Sequence, residues 1–289
     1  MPAPPDTTAL TTIQQALNEA QQQLSPVHEA ASLEAEILLG HVLQKSRAQL
    51  YTWPHNPISA THLSLYKALV ARRVTGEPIA YLVGRREFWD LSLIVSPATL
   101  IPRPETERLV EIALDLIPLE KSWHIADLGT GTGAIALAIA KHRPHCHIVA
   151  TDLSLAALKV AQQNATDLGI NNLQFKQGTW CTPLVGSMFD LIISNPPYIT
   201  KDDPHLSQGD LRFEPASALI SAENGLKDLT HIAQSASSAL IKGGWLLLEH
   251  GFNQGDPVNK LLRINGYQNI TCYYDYSDRE RATLAQTPI

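Results

Sequence analysis

Asn195-Pro196-Pro197-Tyr198 follows directly on the apolar run Asp190–Ser194. Residues of these types, in this order, suit the holding of a flat amide or amino group by its nitrogen. That nitrogen is a weak nucleophile because its lone pair is delocalised. Its two N–H groups must be gripped by two acceptors, so that the lone pair faces an electrophile. The Asn195 side-chain oxygen and the Pro196 main-chain carbonyl can be those acceptors. Proline lacks an N–H and has a fixed φ, so the loop is stiff and offers few competing donors. Tyr198 can pack on the flat face of the target group. The accepted hydrogen bonds strengthen as positive charge grows on nitrogen, which favours the transition state over the ground state. Asn195, Pro196 and Tyr198 are therefore the candidate catalytic residues, and Asn195, Pro196, Pro197 and Tyr198 the candidate substrate-binding segment. The bland alternative is a proline-rich surface turn. The apolar strand just before it and the glycine loop upstream weigh against that.

The loop upstream is Asp127-Leu128-Gly129-Thr130-Gly131-Thr132-Gly133, at the end of the apolar stretch His124–Leu128. Glycines there permit positive φ and let a ligand approach the backbone. Read as Gly129-x-Gly131-x-x-Ala134, the loop also fits the dinucleotide fingerprint. Charge separates the two readings. A pyrophosphate beside Asp127 would meet a like charge, costing up to about 4 kcal/mol at ~4 Å and an effective dielectric of ~20. S-adenosylmethionine has no phosphate, and its sulfonium and ammonium both favour a nearby carboxylate. Asp127, Gly129, Thr130, Gly131, Thr132 and Gly133 are thus read as a site for S-adenosylmethionine, with capping of the turn or helix as the alternative for Asp127.

Asp152 ends the next apolar run, where an acid chelates ribose hydroxyls in either nucleotide reading. Its alternative is an N-cap for the helix that follows. Trp180 comes after a third run and a Gly178 turn; its ring could stack on adenine, or be an ordinary core aromatic. Asp152, Trp180 and Asn195 complete the candidate cofactor set. His145-Cys146-His147 has no second ligand pair at suitable spacing, so no metal site is expected. Glu249-His250 reads as structural or pocket-lining, and Asp202-Asp203 as a solvated loop.

The elements that must position these residues fall into two patterns. Ile13, Ala16, Leu17, Ala20 and Leu24 repeat at helical spacing. Leu33, Ile37, Leu38 and Val42 follow, then Tyr66, Leu69 and Val70 in a segment from about 59 to 73. The glutamines 21–23 should face solvent. Residues 1–77 are read as a helical domain. Residues 78–104 are read as a hairpin and linker, with a strand pair over 86–96 and prolines at 97, 102 and 104. Residues 105–289 alternate strands and helices: strands at 124–128, 147–151, 173–176, 190–194 and 245–249, with helices between, one of them over 226–241. That alternation specifies a doubly wound α/β sheet with a mostly parallel core.

Bulk composition narrows the function. The 289 residues carry a net charge of −6 and no run of Lys or Arg longer than two. Binding to nucleic acid through phosphate contacts needs a basic excess, so it is disfavoured. Three distant cysteines argue against a disulfide framework and for a reducing compartment. The first basic residue is Lys45, so no targeting signal is read. No continuous apolar stretch approaches ~18 residues. A soluble cytoplasmic enzyme is expected.

Ala126–Gly133, Asp152, Trp180 and Asn195–Tyr198 together resemble a class I methyltransferase acting on amide or amino nitrogen. Gly84–Trp89, Ser96–Glu107, Arg212–Pro215, Leu246–Gly251 and Asp275–Thr283 narrow the resemblance to the PrmC/HemK family. It covers nearly the whole chain. It implies a Rossmann-like α/β fold with a seven-stranded, mostly parallel sheet and a small all-helical N-terminal domain that docks the protein substrate. It also implies methyl transfer from S-adenosylmethionine to the glutamine of the Gly-Gly-Gln motif in class 1 peptide-chain release factors. The expected partners are release factors, with no direct nucleic acid and no membrane, and the enzyme is expected to be a monomer. By the same resemblance Arg103-Pro104-Glu105 would line the pocket. Thr179 departs from the acid that relatives often carry before the tryptophan. An adenine-N6 methyltransferase on nucleic acid is the alternative, since the same tetrapeptide chemistry serves aryl amines.

Overall fold

The computed structural model describes residues 11–289; the first ten residues of the 1–77 segment lie outside them. The chain divides into two compact units, Met1–Gly84 and Arg85–Ile289.

The first unit is helical: α1 (Ile13–Leu24), α2 (Ala31–Leu43), α3 (Arg47–Thr52), α4 (Ala60–Val74) and α5 (Ile79–Val83). Two of these start at capping boxes. Thr12 and Gln15 exchange side-chain and backbone hydrogen bonds before α1, and Ser46 and Gln49 do so before α3. Ile13, Ala16, Ala20 and Leu24 form the buried stripe of α1, while Gln21, Gln22 and Gln23 are exposed. On α2 the buried face is Ala31, Ala35, Leu38 and Leu39; of the expected Leu33, Ile37, Leu38 and Val42, Leu38 is fully buried and Val42 packs against the core, whereas Leu33 is exposed. Apolar residues occur all round α2, so spacing alone does not choose its inner face. Tyr66 and Val70 of α4 complete this core.

The second unit opens with the hairpin β1 (Arg85–Phe88) and β2 (Leu91–Ile94), paired antiparallel. Then come α6 (Glu107–Leu116), β3 (His124–Leu128), α7 (Ala134–His142), β4 (His147–Asp152), α8 (Leu155–Leu168), β5 (Leu173–Gln177) and β6 (Phe189–Ser194). A turn-like α9 (Ala222–Gly225), α10 (Lys227–Ala236), β7 (Leu240–Glu249), α11 (Gly255–Ile264), β8 (Gln268–Tyr274) and β9 (Glu280–Gln286) follow. The helix expected over 226–241 stops at Ala236, because Leu240 and Ile241 already belong to the start of β7, where Leu240 pairs with Phe189. The seven-stranded sheet runs β5-β4-β3-β6-β7-β9-β8. Strands β3 to β7 are parallel; β9 and β8 are antiparallel.

Side chains alternate between the two buried faces, as the pleat requires. Ile125, Leu191, Ile193 and Leu247 pack towards α6 and α7, together with Phe88, Leu91 and Leu93 of the hairpin. Ala126, Leu128, Ile192, Leu246 and Leu248 pack towards α10 and α11. The winding reverses between β3 and β6, and such a switch point leaves a crevice beyond the strands' carboxyl ends. Among the described residues no helix is long and apolar enough to cross a membrane.

Candidate active site

The crevice is a cavity of about 480 Å³, within the range of small-molecule sites, roughly 300–1,000 Å³. Gly129, Thr130, Gly131 and Thr132 form one wall, Asp152 and Trp180 a second, and Asn195 and Pro197 a third.

The glycine loop is tied to the strand beside it. Thr130 N–H donates to the Thr151 carbonyl at 2.9 Å, and Gly131 N–H to Asp152 Oδ2 at 2.9 Å. Asp152 Oδ1 accepts Ser154 N–H at 2.8 Å, so this carboxyl also caps the turn into α8. Gly129 has φ +70°, and a Cβ there would come within 3.3 Å of the Trp180 ring. A side chain at 129 would therefore push against the wall that Trp180 builds.

Asp127 does not line the cavity. It lies beneath the loop, 1 % exposed, with Oδ2 accepting from Thr130 Oγ1 at 2.6 Å. Its Oδ1 is buried and has no partner. Burial raises the carboxyl from its ordinary 3.8 to about 7, against the lowering by Thr130 and a backbone N–H. Asp152 is also raised by burial, with the N–H groups of Ser154 and Gly131 opposing it.

Ser194 Oγ donates to the Leu128 carbonyl at 2.8 Å, holding the ends of β3 and β6 together. Asn195 then projects to the cavity, and its Nδ2 donates to Thr106 Oγ1 at 3.1 Å. That leaves Asn195 Oδ1 as the free end of the amide. Pro196 and Tyr198 do not line the cavity, and neither does Gly133. Tyr198, expected to stack on the target group, stands behind the loop and donates its hydroxyl to Glu249 Oε1 at 3.2 Å. Burial holds that phenol above its usual range. Glu249 is 1 % exposed, and burial raises its carboxyl to about 7 while Thr106, Arg281 and Tyr198 lower it. The physical reason for the change at Tyr198 is this carboxyl: a buried acid at the end of β7 needs a donor, and the phenol supplies it.

Arg103, Pro104 and Glu105 do not line the cavity either; their neighbours Pro102 and Thr106 do. Arg103 pairs instead with Glu214, whose side chain is fully buried and also accepts Ile101 N–H at 3.1 Å. The pair joins the segment before α6 to the loop whose Pro215 and Ser217 face the cavity. His250 is fully buried; its Nδ1 meets the Gly251 carbonyl at 3.0 Å and its Nε2 meets Thr283 Oγ1 at 2.8 Å, so it braces β7 against β9. His147 stacks edge to face on His124 at 5.5 Å. Among the described residues no group of His, Cys, Asp or Glu is placed to hold a metal.

Three supporting residues take no role from the sequence alone; Thr106 lies within the Ser96–Glu107 segment, and Gln254 and Asn164 lie outside every motif. Thr106 meets Asn195 across 89 positions. Gln254 donates to the Tyr198 carbonyl at 3.2 Å and the Asn224 carbonyl at 3.1 Å, and accepts Gly251 N–H at 2.8 Å. Asn164, 1 % exposed, donates to the Thr132 carbonyl at 2.9 Å and accepts Ile94 N–H at 2.7 Å, which ties the hairpin to the glycine loop. One signal could have found Asn164: it sits on the stripe Ala157, Ala161, Ala165 that is otherwise apolar.

A doubly wound, seven-stranded sheet with a glycine loop at its switch point, an acid at the end of the neighbouring strand and an Asn-Pro-Pro-Tyr segment at the cavity is that of a class I, Rossmann-like S-adenosylmethionine-dependent methyltransferase. Its fold matches a methyltransferase from Pyrococcus furiosus with a TM-score of 0.54 at 18% identity, over 76% of this chain and 98% of the other. The chain belongs to the release factor glutamine methyltransferase family. The PrmC N-terminal domain model matches residues 15–84 and the methyltransferase small domain model residues 108–225. The release factor glutamine methyltransferase of Vibrio cholerae is 52% identical over 277 residues, 95% of this chain and 96% of its own length. That of Escherichia coli is 48% identical over 270 residues, 93% and 97%.

Proposed function

We propose that the chain transfers a methyl group from S-adenosylmethionine to the side-chain amide nitrogen of the glutamine in the Gly-Gly-Gln motif of class 1 release factors. Family membership supports the reaction. The observation that carries the residue assignment is the Asn195 amide, with its NH2 end held by Thr106 and its oxygen end free beside the cavity.

The residues fit the cofactor. Asp127, buried beneath the loop and raised to about 7, would be favoured in its ionised form by a cationic ligand in the cavity and opposed by a pyrophosphate. Asp152 would take the ribose hydroxyls, Trp180 the adenine face, and Gly129 to Gly133 the approach of the ligand to the backbone. Thr179, on the same wall, would leave recognition of the adenine amine weak or to a backbone group. Bound there, S-adenosylmethionine supplies an electrophilic methyl group on sulfonium.

Asn195 Oδ1 would accept one N–H group of the glutamine NH2, and the carbonyl of Pro196, next in the chain though not itself part of the cavity lining, would accept the other. This orients the nitrogen lone pair and holds it in line, which supplies much of the rate. Both acceptors would grip harder as nitrogen becomes cationic. The methylated nitrogen is then acidic and loses its proton without a dedicated base. Tyr198 serves as an anchor for the loop. The helical unit would dock the release factor, and the enzyme would work as a cytoplasmic monomer without nucleic acid. Family membership does not favour the adenine alternative.

The test is a purified class 1 release factor incubated with labelled cofactor, then mapped by peptide mass. One added methyl on the Gly-Gly-Gln glutamine is expected, abolished by Asn195→Ala with cofactor binding kept. Label on another residue, or on nucleic acid, would refute the proposal.

A further inference from the structure

Two acids line the cavity, Asp152 and Asp228, and among the described residues no Lys, Arg or His does. Asp152 also shapes the glycine loop, since each of its oxygens accepts a backbone N–H. Asp228 has no part in the reaction proposed above. It lies in the first turn of α10, next to Leu229 of the apolar cluster against which Trp180 and Tyr198 pack. Its carboxylate is held by one oxygen. Ser221 Oγ donates to Asp228 Oδ2 at 2.6 Å and accepts the Asp228 N–H at 3.2 Å. Ser221 is itself fixed: it is buried, and its N–H donates at 2.9 Å to the carbonyl of Ile199, one residue beyond the tetrapeptide. Among the described residues nothing donates to Asp228 Oδ1.

A ligand that fills the cavity strips water from that oxygen. A carboxylate so enclosed needs a donor in exchange. S-adenosylmethionine brings two amino groups, the adenine amine and the methionine ammonium, while its ribose hydroxyls are matched by Asp152. We propose that Asp228 is a cofactor-binding residue whose Oδ1 accepts an N–H from one of these amino groups. A charged acceptor makes such a bond about twice as strong as a neutral one does. A lining with two acids and no base also suits a ligand of net positive charge. The bland account is that Asp228 only starts α10, through Ser221 and the helix dipole. The inference rests on the placement of the cofactor proposed above.

The experiment measures binding by calorimetry to the native chain and to Asp228→Asn, with three probes. S-adenosylhomocysteine carries both amino groups. Methylthioadenosine keeps the adenine amine and lacks the ammonium. S-inosylhomocysteine keeps the ammonium and lacks the adenine amine. Asparagine preserves the shape and an acceptor for Ser221, and removes the charge. Asp228→Asn weakens S-adenosylhomocysteine by about tenfold, the difference between a charged and a neutral acceptor. One of the other two probes suffers the same loss, and the second stays within about twofold of its native affinity, less than one hydrogen bond is worth. The probe that escapes lacks the amino group that Asp228 holds, and its binding shows that the variant is folded. Unchanged affinity for S-adenosylhomocysteine would overturn the assignment. So would equal losses with all three probes, the mark of a displaced helix start. A raised KM for the release factor with native affinity for every probe would give Asp228 to the substrate instead. If Trp180→Ala binds S-adenosylhomocysteine as tightly as the native chain does, the cofactor placement itself fails, and the role of Asp228 with it.

Discussion

Asp152 and Gly131 meet at 2.9 Å, the carboxylate oxygen accepting the N–H of the loop that its own ligand would approach. The acid therefore shapes the glycine loop as well as facing the cavity. Asp152→Ala leaves the N–H groups of Gly131 and Ser154 without their acceptor. Each such loss is worth about 1–3 kcal/mol. Calorimetry should show cofactor affinity falling by roughly tenfold to a hundredfold, with a smaller change in kcat at saturating cofactor. Unchanged affinity would mean the loop holds its shape without the acid.

Asp127 predicts a pH dependence of stability. Burial raises its carboxyl from 3.8 to about 7. The folded chain therefore binds more protons than the unfolded chain between these values, and stability falls as pH rises from about 4 to about 7. Above that window the full penalty of a buried charge applies. Asp127→Asn should raise the melting temperature of the cofactor-free protein at pH 8 and flatten its decline between pH 4 and 7. Glu249 adds a second contribution of the same sign, so the decline should shrink rather than vanish. A cationic ligand relieves the penalty, so stabilisation by added S-adenosylmethionine should be larger at pH 8 than at pH 6 in the native chain, as thermal shift would show.

Gly225→Ala tests the seat of the Asn-Pro-Pro-Tyr loop. Its φ is +80°, and a Cβ would lie 2.1 Å from the Tyr198 carbonyl oxygen and 2.6 Å from Gln254 Nε2. Glu223 and Asn224 just before it are also left-handed. Either the loop or α9 must move. Urea unfolding should show a loss of about 2 kcal/mol or more, and turnover should fall more than cofactor affinity.

Arg103→Ala strands a carboxylate. Glu214 has no exposed side-chain surface, and burial already raises its pKa against the pull of Arg103. Removing one partner of a buried pair costs about 3–5 kcal/mol. Denaturant midpoints should drop accordingly, and Arg103→Met combined with Glu214→Gln should recover part of the loss. If the single change proves as mild as a surface ion pair, about 0–1 kcal/mol, the pair does not hold these loops.

Local pattern was enough for some of this protein. The apolar runs, the glycine spacing and the Asn-Pro-Pro-Tyr tetrapeptide each announce themselves within a dozen residues, because strand period, positive φ and proline stiffness are local properties. From them the parallel core, the ligand site at the strand ends and Asp152 beside the loop could be read, whereas Asp127, expected at the cofactor, lies buried beneath the loop. What surrounds the tetrapeptide was decided in three dimensions. Tyr198 turns from the cavity because Glu249, 51 positions away, is buried behind it. Arg103 leaves the pocket for Glu214, 111 positions away. Thr106, Gln254 and Asn164 support the site through bonds between elements that meet only when the sheet closes. A buried polar group must find a partner wherever the fold puts one, and no spacing along the chain records that choice.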